Sequence, residues 1–319
     1  WGADVIKIES GTGDPVRYVT PTTDERGNPV FAMENRGKRS VVLNIGSEDG
    51  PGALPALLRE ADVFVINLRP GSLTRAGLDH ASIAAIAPRL VYASISGQGS
   101  AGPDADLPAF DLTGVAASTI PPDQSPFPCR PGFGDHVTAL ATLSGIMAAL
   151  YERERTGHGR LVETSLLRTA TYAMGWDLAL QLRDGAVVTA QPRDQWPSPI
   201  AGYFRTADAR WIYVAPRGPT CLGTALRAVG HGEFAEDPGL IAVPPDLDRV
   251  REVRALVDAA YAAMTLAEAE ALLRTTDLIW APMATLADVA QSAQAQAAGC
   301  FVELAGGGRS PAAPVGLGA

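Results

Sequence analysis

The chain has 319 residues, 46% of them hydrophobic and 19% charged, with a formal net charge of −9. That length supports a large core and two domains, and the composition is that of an ordinary globular protein. The acidic balance argues against nucleic acid as a partner, and the longest apolar run, Val137–Leu150, is shorter than the roughly 20 residues a membrane-spanning helix requires. Cys129, Cys221 and Cys300 are far apart with no CxxC, so neither a zinc site nor a disulfide framework is indicated. No metal site is expected, and the expected setting is reduced and cytoplasmic.

Taken in order, the chain enters a short strand at Val5–Glu9 almost at once and lacks an initial methionine. An N-terminal unit is therefore expected to be missing from it. A polar Gly/Pro-rich loop carries Arg17. The run Asn35-Arg36-Gly37-Lys38-Arg39-Ser40 then feeds a strand at Val41–Ile45. Such a basic loop reads either as a solvated surface or as a phosphate site, because Arg and Lys are the usual phosphate partners. A helix over Gly52–Glu60 precedes the apolar strand Val63–Leu68, which ends in Asn67, Leu68, Arg69 and, further on, Arg75. Open α/β sheets place ligands at the carboxyl ends of their strands, so these residues are either ligand contacts or a polar turn.

A short helix near Ser82–Ala87 and a strand over Leu90–Ser96 continue the alternation expected of a doubly wound, mainly parallel sheet. The loop from Gly97 through Gly99 to Pro103 is neither a P-loop nor GxGxxG. Phe110-Asp111 opens the next helix. A Pro-rich loop over Pro121–Pro131 then leads to Gly132-Phe133-Gly134-Asp135, which delivers an aspartate to the first residue of an apolar helix expected to be buried on every face. Asp135 reads either as a helix cap or as a catalytic carboxylate kept ionised by the positive end of the helix dipole; Asp111 carries the same two readings. Beyond a strand at Arg160–Glu163 and a helix over Ser165–Leu182, the composition shifts. A linker at 183–198 precedes a hairpin (Gly202–Thr206 with Trp211–Val214), helices near Pro219–Val229, Leu247–Met264 and Leu266–Arg274, a short buried piece at Trp280–Met283, a helix over Leu286–Ala298, and an extended Gly/Pro/Ala-rich tail.

Several stretches together resemble the class III CoA-transferases, a family that includes formyl-CoA transferase, the carnitine-pathway CoA-transferases and the α-methylacyl-CoA racemases. They are Gly-Ala-Asp-Val-Ile-Lys-Ile-Glu at 2–9, Asn-Arg-Gly-Lys-Arg-Ser at 35–40, Ala-Asp-Val-Phe-Val-Ile-Asn-Leu-Arg-Pro-Gly at 61–71, Gly-Leu at 77–78, Leu-Val-Tyr-Ala-Ser-Ile-Ser-Gly at 90–97, Phe-Asp at 110–111, Gly-Asp at 134–135, and Gly-Ile-Met-Ala-Ala-Leu-Tyr-Glu-Arg-Glu-Arg-Thr-Gly at 145–157. They stand in the family's order and cover nearly all of residues 1–170; the second half matches more loosely.

The resemblance implies an α/β fold: a Rossmann-like large domain with a parallel sheet (1–182), the linker (183–198), a smaller α+β domain (199–284) and a segment returning to the large domain (285–319). It further implies an interlocked homodimer. By position it makes Asp135 the catalytic aspartate, with Asp111, Gly134, Gly97 and Gly99 in support. Arg17, Lys38, Arg39, Asn67, Leu68, Arg69 and Arg75 line the coenzyme A site. The implied reaction moves CoA from an acyl-CoA to a carboxylic acid through a covalent aspartyl intermediate, with no bound cofactor besides the CoA substrate and with no nucleic acid or membrane partner. Many members close a run of glycines over the aspartate; the nearest segment here, Trp196–Gly202, contains one glycine.

Two other readings compete. An α-methylacyl-CoA racemase or epimerase needs an acid/base pair flanking a carbon. Family racemases supply a histidine where this chain has Phe110, which moves no proton. His136 and Asp111 are the remaining substitutes, and His136 is expected to point elsewhere on its helix; His80, His158 and His231 read as surface or turn residues. The second is an inactive member that binds CoA or only dimerises, motivated by the absent opening unit. The aromatic residues Tyr172, Trp176, Trp196 and Tyr203 suggest a moderately large, partly apolar acid, or simply core packing.

Overall fold

The computed structural model describes residues 2–19, 27–44, 50–111, 130–185, 192–216, 221–305 and 307–316. Cys129, Ile45, most of the Pro-rich loop before Pro131 and part of the 183–198 linker lie outside them. By its internal contacts the chain divides into two units, 1–189 and 190–318.

In the first unit, strand β1 (Ile6–Glu9) runs through a 3-10 turn at Pro15–Tyr18 and helix α1 (Pro29–Asn35) to β2 (Arg39–Val42). Asn28 starts α1 by accepting the Val30 and Phe31 amides, with Pro29 preset in the first turn. Strands β1 and β2 pair in parallel, Ile6 opposite Arg39. Helix α2 (Gly50–Glu60) leads to β3 (Val63–Ile66), α3 (Pro70–Arg75), α4 (His80–Ile86) and β4 (Val91–Ser96). After the next described stretch come α5 (Phe133–Thr156), β5 (Leu161–Ser165), α6 (Leu166–Ala173) and α7 (Gly175–Asp184). The sheet order β3-β4-β5 is parallel throughout, Val63 opposite Val91 and Ser96 opposite Ser165. The middle strand shows what that costs in sequence. Val91, Tyr92 and Ala93 are 2% exposed or less, the near-continuous apolar run of a strand covered on both faces. One face packs on Leu54, Leu58, Leu73 and Ile83 of the helices; the other meets Ile146 and Ala149 of α5. His80, expected at the surface, sets its ring edge-on to Tyr92.

Helix α5 corrects two expectations. It begins at Phe133 with Gly132 as its cap, so Asp135 is its third residue and not its first. It is also buried on one face only: Gly134, Thr138, Thr142, Ile146 and Ala149 are buried at spacings of three and four, while Leu140, Met147 and Tyr151 are exposed. Small residues let one side of the helix lie close against β4 and β5, and that contact alone does not surround it. By length and composition α5 is long and apolar enough to cross a membrane; its small-residue face serves instead as the contact with the sheet. The buried hydroxyls are all satisfied. Thr138 Oγ1 meets Thr169 Oγ1 at 2.6 Å, Thr169 reaches the Ser165 carbonyl, and Thr142 donates to the Thr138 carbonyl. The single helix expected over Ser165–Leu182 is two, broken at Met174-Gly175, where a weak helix former restarts the chain.

In the second unit, β6 (Gly202–Arg205) and β7 (Trp211–Ala215) form the expected hairpin, turning at Ala209 with φ of 58°. Further along are α8 (Cys221–Ala228), α9 (Pro238–Ile241), α10 (Leu247–Ala262) and α11 (Leu266–Leu273). The piece at Trp280 is a third strand, β8 (Ile279–Pro282), antiparallel to β7. Phe204, Ile212, Val214, Leu226, Val250, Val253, Val257 and Leu273 are nearly inaccessible and form one core between sheet and helices. Arg254, 4% exposed, donates to the carbonyls of Arg193, Trp196 and Ser198 and so holds the segment that enters β6. The helix expected over Leu286–Ala298 is divided into α12 (Leu286–Gln291) and α13 (Ala293–Ala297) at Ser292, whose extended backbone and hydroxyl cap the second piece. The tail is not wholly extended loop: β9 (Phe301–Glu303) pairs with β10 (Arg309–Pro311).

Candidate active site

The first turn of α5 is built by a residue from another part of the chain. Asp111, 9% exposed, accepts the Gly132 amide at 2.5 Å and the Asp135 amide at 3.0 Å. Its carboxylate therefore takes the amide donors that an N-cap side chain would otherwise hold. Gly132 adopts φ of 87°, a left-handed conformation suited to glycine. The Gly134 amide has no acceptor among the described residues. Gly97, at the carboxyl end of β4, belongs to the same place through Ala109: a Cβ on Gly97 would lie 2.2 Å from the Ala109 Cβ, two residues before Asp111. The Gly99 amide donates to Ser96 Oγ at 3.1 Å.

Asp135 is exposed in the single chain. Its carboxyl is held above the ordinary range, first by partial desolvation and second by the charge of Asp111; Glu34 adds to this and His136 opposes it. The expectation that the helix start would favour the ionised form is thus reversed in direction. Asp111 takes the Asp135 amide within the first turn, which leaves the Asp135 carboxyl beside another carboxylate. His136 sets its ring over Gly132 and its Nε2 2.7 Å from Glu34 Oε1 on α1. Phe110 is 84% exposed.

The basic residues fall into two groups. Around β1 and β2, Arg17 binds Glu9 through Nε at 3.0 Å and Nη2 at 2.8 Å and lies 3.8 Å over the Phe31 ring. Arg39 binds Asp4 through two nitrogens. Lys38 Nζ reaches Asn35 Oδ1 at 3.2 Å, and its ammonium is held below the usual lysine range by partial desolvation and then by Lys7. Glu9 also accepts Ser40 Oγ and the Asp14 amide, and its carboxyl is lowered to about 2, chiefly by Arg17 and Ser40. Little of it meets solvent because these partners cover it; it is not sunk in the core. At the end of β3, Asn67 and Leu68 are exposed, Arg69 Nη1 donates to the Asp106 carbonyl at 3.2 Å, and the Gly71 amide donates to Asp106 Oδ1 at 2.8 Å. Arg75 Nη2 donates to Ser72 Oγ.

These groups share connections. The loop 97–111 touches the β3 end through Asp106 and the Asp135 turn through Asp111. The His136–Glu34 pair joins that turn to α1, whose last residue, Asn35, holds Lys38. Sequence reasoning missed Glu9, Glu34 and Asp106. Glu9 had a signal, an acidic residue at a strand's carboxyl end; Asp106, 35 residues from Gly71, had none. Among the described residues no group of three or more His, Cys, Asp or Glu is placed to hold a metal.

Comparison with known proteins fits this arrangement. The family model described as CoA-transferase family III matches residues 1–318. The chain is 32% identical over 314 residues to cinnamoyl-CoA:phenyllactate CoA-transferase of Clostridium sporogenes, covering 93% of this chain and 75% of that protein. It is 33% identical over 316 residues to (R)-2-hydroxy-4-methylpentanoate CoA-transferase of Clostridioides difficile, covering 93% and 77%. The crystal structure of a CAIB/BAIF family protein from Brucella suis superimposes with a TM-score of 0.85 at 27% identity, covering 99% of this chain and 85% of that one. An α/β chain with a parallel sheet and an acidic pair at the head of a long helix thus has its class: it belongs to CoA-transferase family III. It is a CoA-transferase that uses CoA thioesters as substrates.

Proposed function

We propose that this chain moves coenzyme A from an acyl-CoA to a free carboxylate, with Asp135 as the covalent nucleophile. The observation that carries the reading is the Asp111–Asp135 turn. A buried carboxylate fixes the backbone of the first turn and leaves the Asp135 side chain exposed, with its carboxyl raised above the ordinary range. Raised basicity makes an ionised carboxylate a better nucleophile.

An Asp135 oxygen attacks the thioester carbonyl, the C–S bond breaks, and CoA leaves as the thiolate with an acyl–aspartyl anhydride left behind. The thiolate attacks the aspartyl carbonyl and releases the donor carboxylate, which gives an aspartyl-CoA thioester. An acceptor carboxylate attacks that carbonyl and expels the thiolate, which then attacks the acceptor's own acyl carbon. A new thioester and free Asp135 result. Each addition develops an oxyanion; the Gly134 amide, without an acceptor among the described residues, is our choice of donor. Lys38, Arg69 and Arg75, with Arg17 and Arg39 beyond their present partners and Asn67 and Leu68 beside them, would hold the CoA phosphates and pantetheine arm.

Proton transfer at an α-carbon is the weaker reading, because Phe110 carries no base and His136 is committed to Glu34. The acids named for the two relatives are aromatic or branched, and Tyr172 and Trp176, 88% and 87% exposed, suit such a group. An interlocked homodimer, with 285–319 returning to a large domain, a cytoplasmic location and no membrane or nucleic-acid partner complete the proposal.

The test is exchange of label between acyl-CoAs and free acids, with hydroxylamine trapping and mass spectrometry. Asp135→Ala is expected to fold and to lose turnover and adduct together. Exchange at the wild-type rate in that variant would remove Asp135 as the nucleophile.

A further inference from the structure

The histidine next to Asp135 in sequence is not a bystander on the helix surface. Its ring lies over the Gly132 turn, where a Cβ would come within 3.3 Å of Cε1, and its amide donates to the Gly132 carbonyl at 2.9 Å. Its Nε2 meets Glu34 Oε1 at 2.7 Å, a contact between residues 102 apart in sequence. Glu34 sits in the last turn of α1, directly before the basic loop 35–40. The charges that act on Asp135 among the described residues are Asp111 from the loop before α5, Glu34 from α1 and His136 on α5 itself. Two are negative. The third is positive when the imidazole carries a proton.

We propose that His136, held by Glu34, is a positioning residue for Asp135: it seats the first turn of α5 on α1 and supplies the positive charge that offsets the two flanking carboxylates. The inference rests on Asp135 being the nucleophile. It makes the distance between the attacking carboxylate and the basic loop a property of one side-chain pair, since Glu34 and Asn35, which holds Lys38, are consecutive.

The charge argument separates this role from a structural brace. Replacing His136 removes a cation next to Asp135, so the carboxyl should protonate at higher pH and the acid limb of kcat/KM should move upward. Replacing Glu34 with glutamine keeps an acceptor oxygen for His136 Nε2 but removes an anion, so the limb should move downward. A brace alone would move both variants the same way or neither. The experiment measures pH profiles of kcat/KM for His136→Gln, Glu34→Gln, His136→Lys and Asp135→Asn, with circular dichroism and melting for each. A shift of about half a unit, which is about a threefold change in rate on the acid limb, is expected in opposite directions for the first two, with the lysine variant returning the limb towards wild type. Unmoved limbs in folded His136→Gln and Glu34→Gln, or limbs moved in one direction, would overturn the inference. Should His136→Gln fail to fold, His136→Asn takes its place: an upward limb supports the proposal and an unmoved or downward one overturns it. Activity retained by Asp135→Asn would instead overturn the nucleophile assignment.

Discussion

Asp111→Ala removes a carboxylate from a position where it is 9% exposed and accepts two backbone amides, at Gly132 and Asp135. A hydrogen bond to a charged group contributes about 1.5–3 kcal/mol, and loss of an N-cap costs about 0.5–2 kcal/mol. The two bonds share one carboxylate and are not additive, and water can reach the exposed side of this turn, so a local cost of about 2 kcal/mol follows. That corresponds to roughly 30-fold faster opening of the first turn. The assay is hydrogen exchange of the Gly132 and Asp135 amides, resolved by fragmentation mass spectrometry at neutral pH. The global melt should move less, because the helix end opens before the sheet does. Asp111→Asn keeps one acceptor oxygen and should cost about half as much. In both variants the lost negative charge should also lower the Asp135 carboxyl and shift the acid limb of activity downward. Unchanged exchange at both amides in Asp111→Ala would refute the capping role and, with it, the account of how Asp135 is presented.

Two further outcomes follow from the same geometry. Glu9 has its carboxyl lowered to about 2 from an unfolded value of 4.5, so the stability it contributes is fully present above about pH 4.5 and is lost as the pH falls towards 2. Glu9→Gln should destabilise the β1–β2 pair by about 1–3 kcal/mol at pH 7, and the gap between variant and wild type in urea midpoint should close across that acidic window; a constant gap would contradict it. Gly97→Ala would bring a methyl within 2.2 Å of the Ala109 Cβ. Overpacking of this kind costs about 1–3 kcal/mol and should displace the loop that carries Asp111, lowering both the melting temperature and kcat. Wild-type kinetics in Gly97→Ala would show that the loop gives way freely.

Local signals made the fold's alternation readable because each parallel strand must be apolar along its length, as Val91–Ala93 are, and each turn must use glycine, proline or a cap. The antiparallel third strand was harder. Ile279–Pro282 is short, holds a proline and pairs with Ile212–Ala215, 64 to 70 positions back, so nothing nearby marks it. The exposed face of α5 was hidden for another reason: Leu140, Met147 and Tyr151 look like core residues in a sequence, and only packing shows which side meets the sheet. Asp135 and Asp111 were recognisable as acidic residues near helix starts. That one caps the other's turn depends on a contact across 24 residues.

By itself, then, the sequence determined the class of chain, the order of its elements, the acidic pair and the basic loops, because these follow from residue type, spacing and local backbone preference. The tertiary structure alone decided how charge is shared. It gave the Gly132 and Asp135 amides to Asp111, tied Arg17 to Glu9 and Arg39 to Asp4, set Asp106 at the end of β3, and turned His136 to Glu34. Hydrogen bonds and charges act over a few ångströms in space, and residues 24, 35 or 102 positions apart come within that range only when the chain is folded.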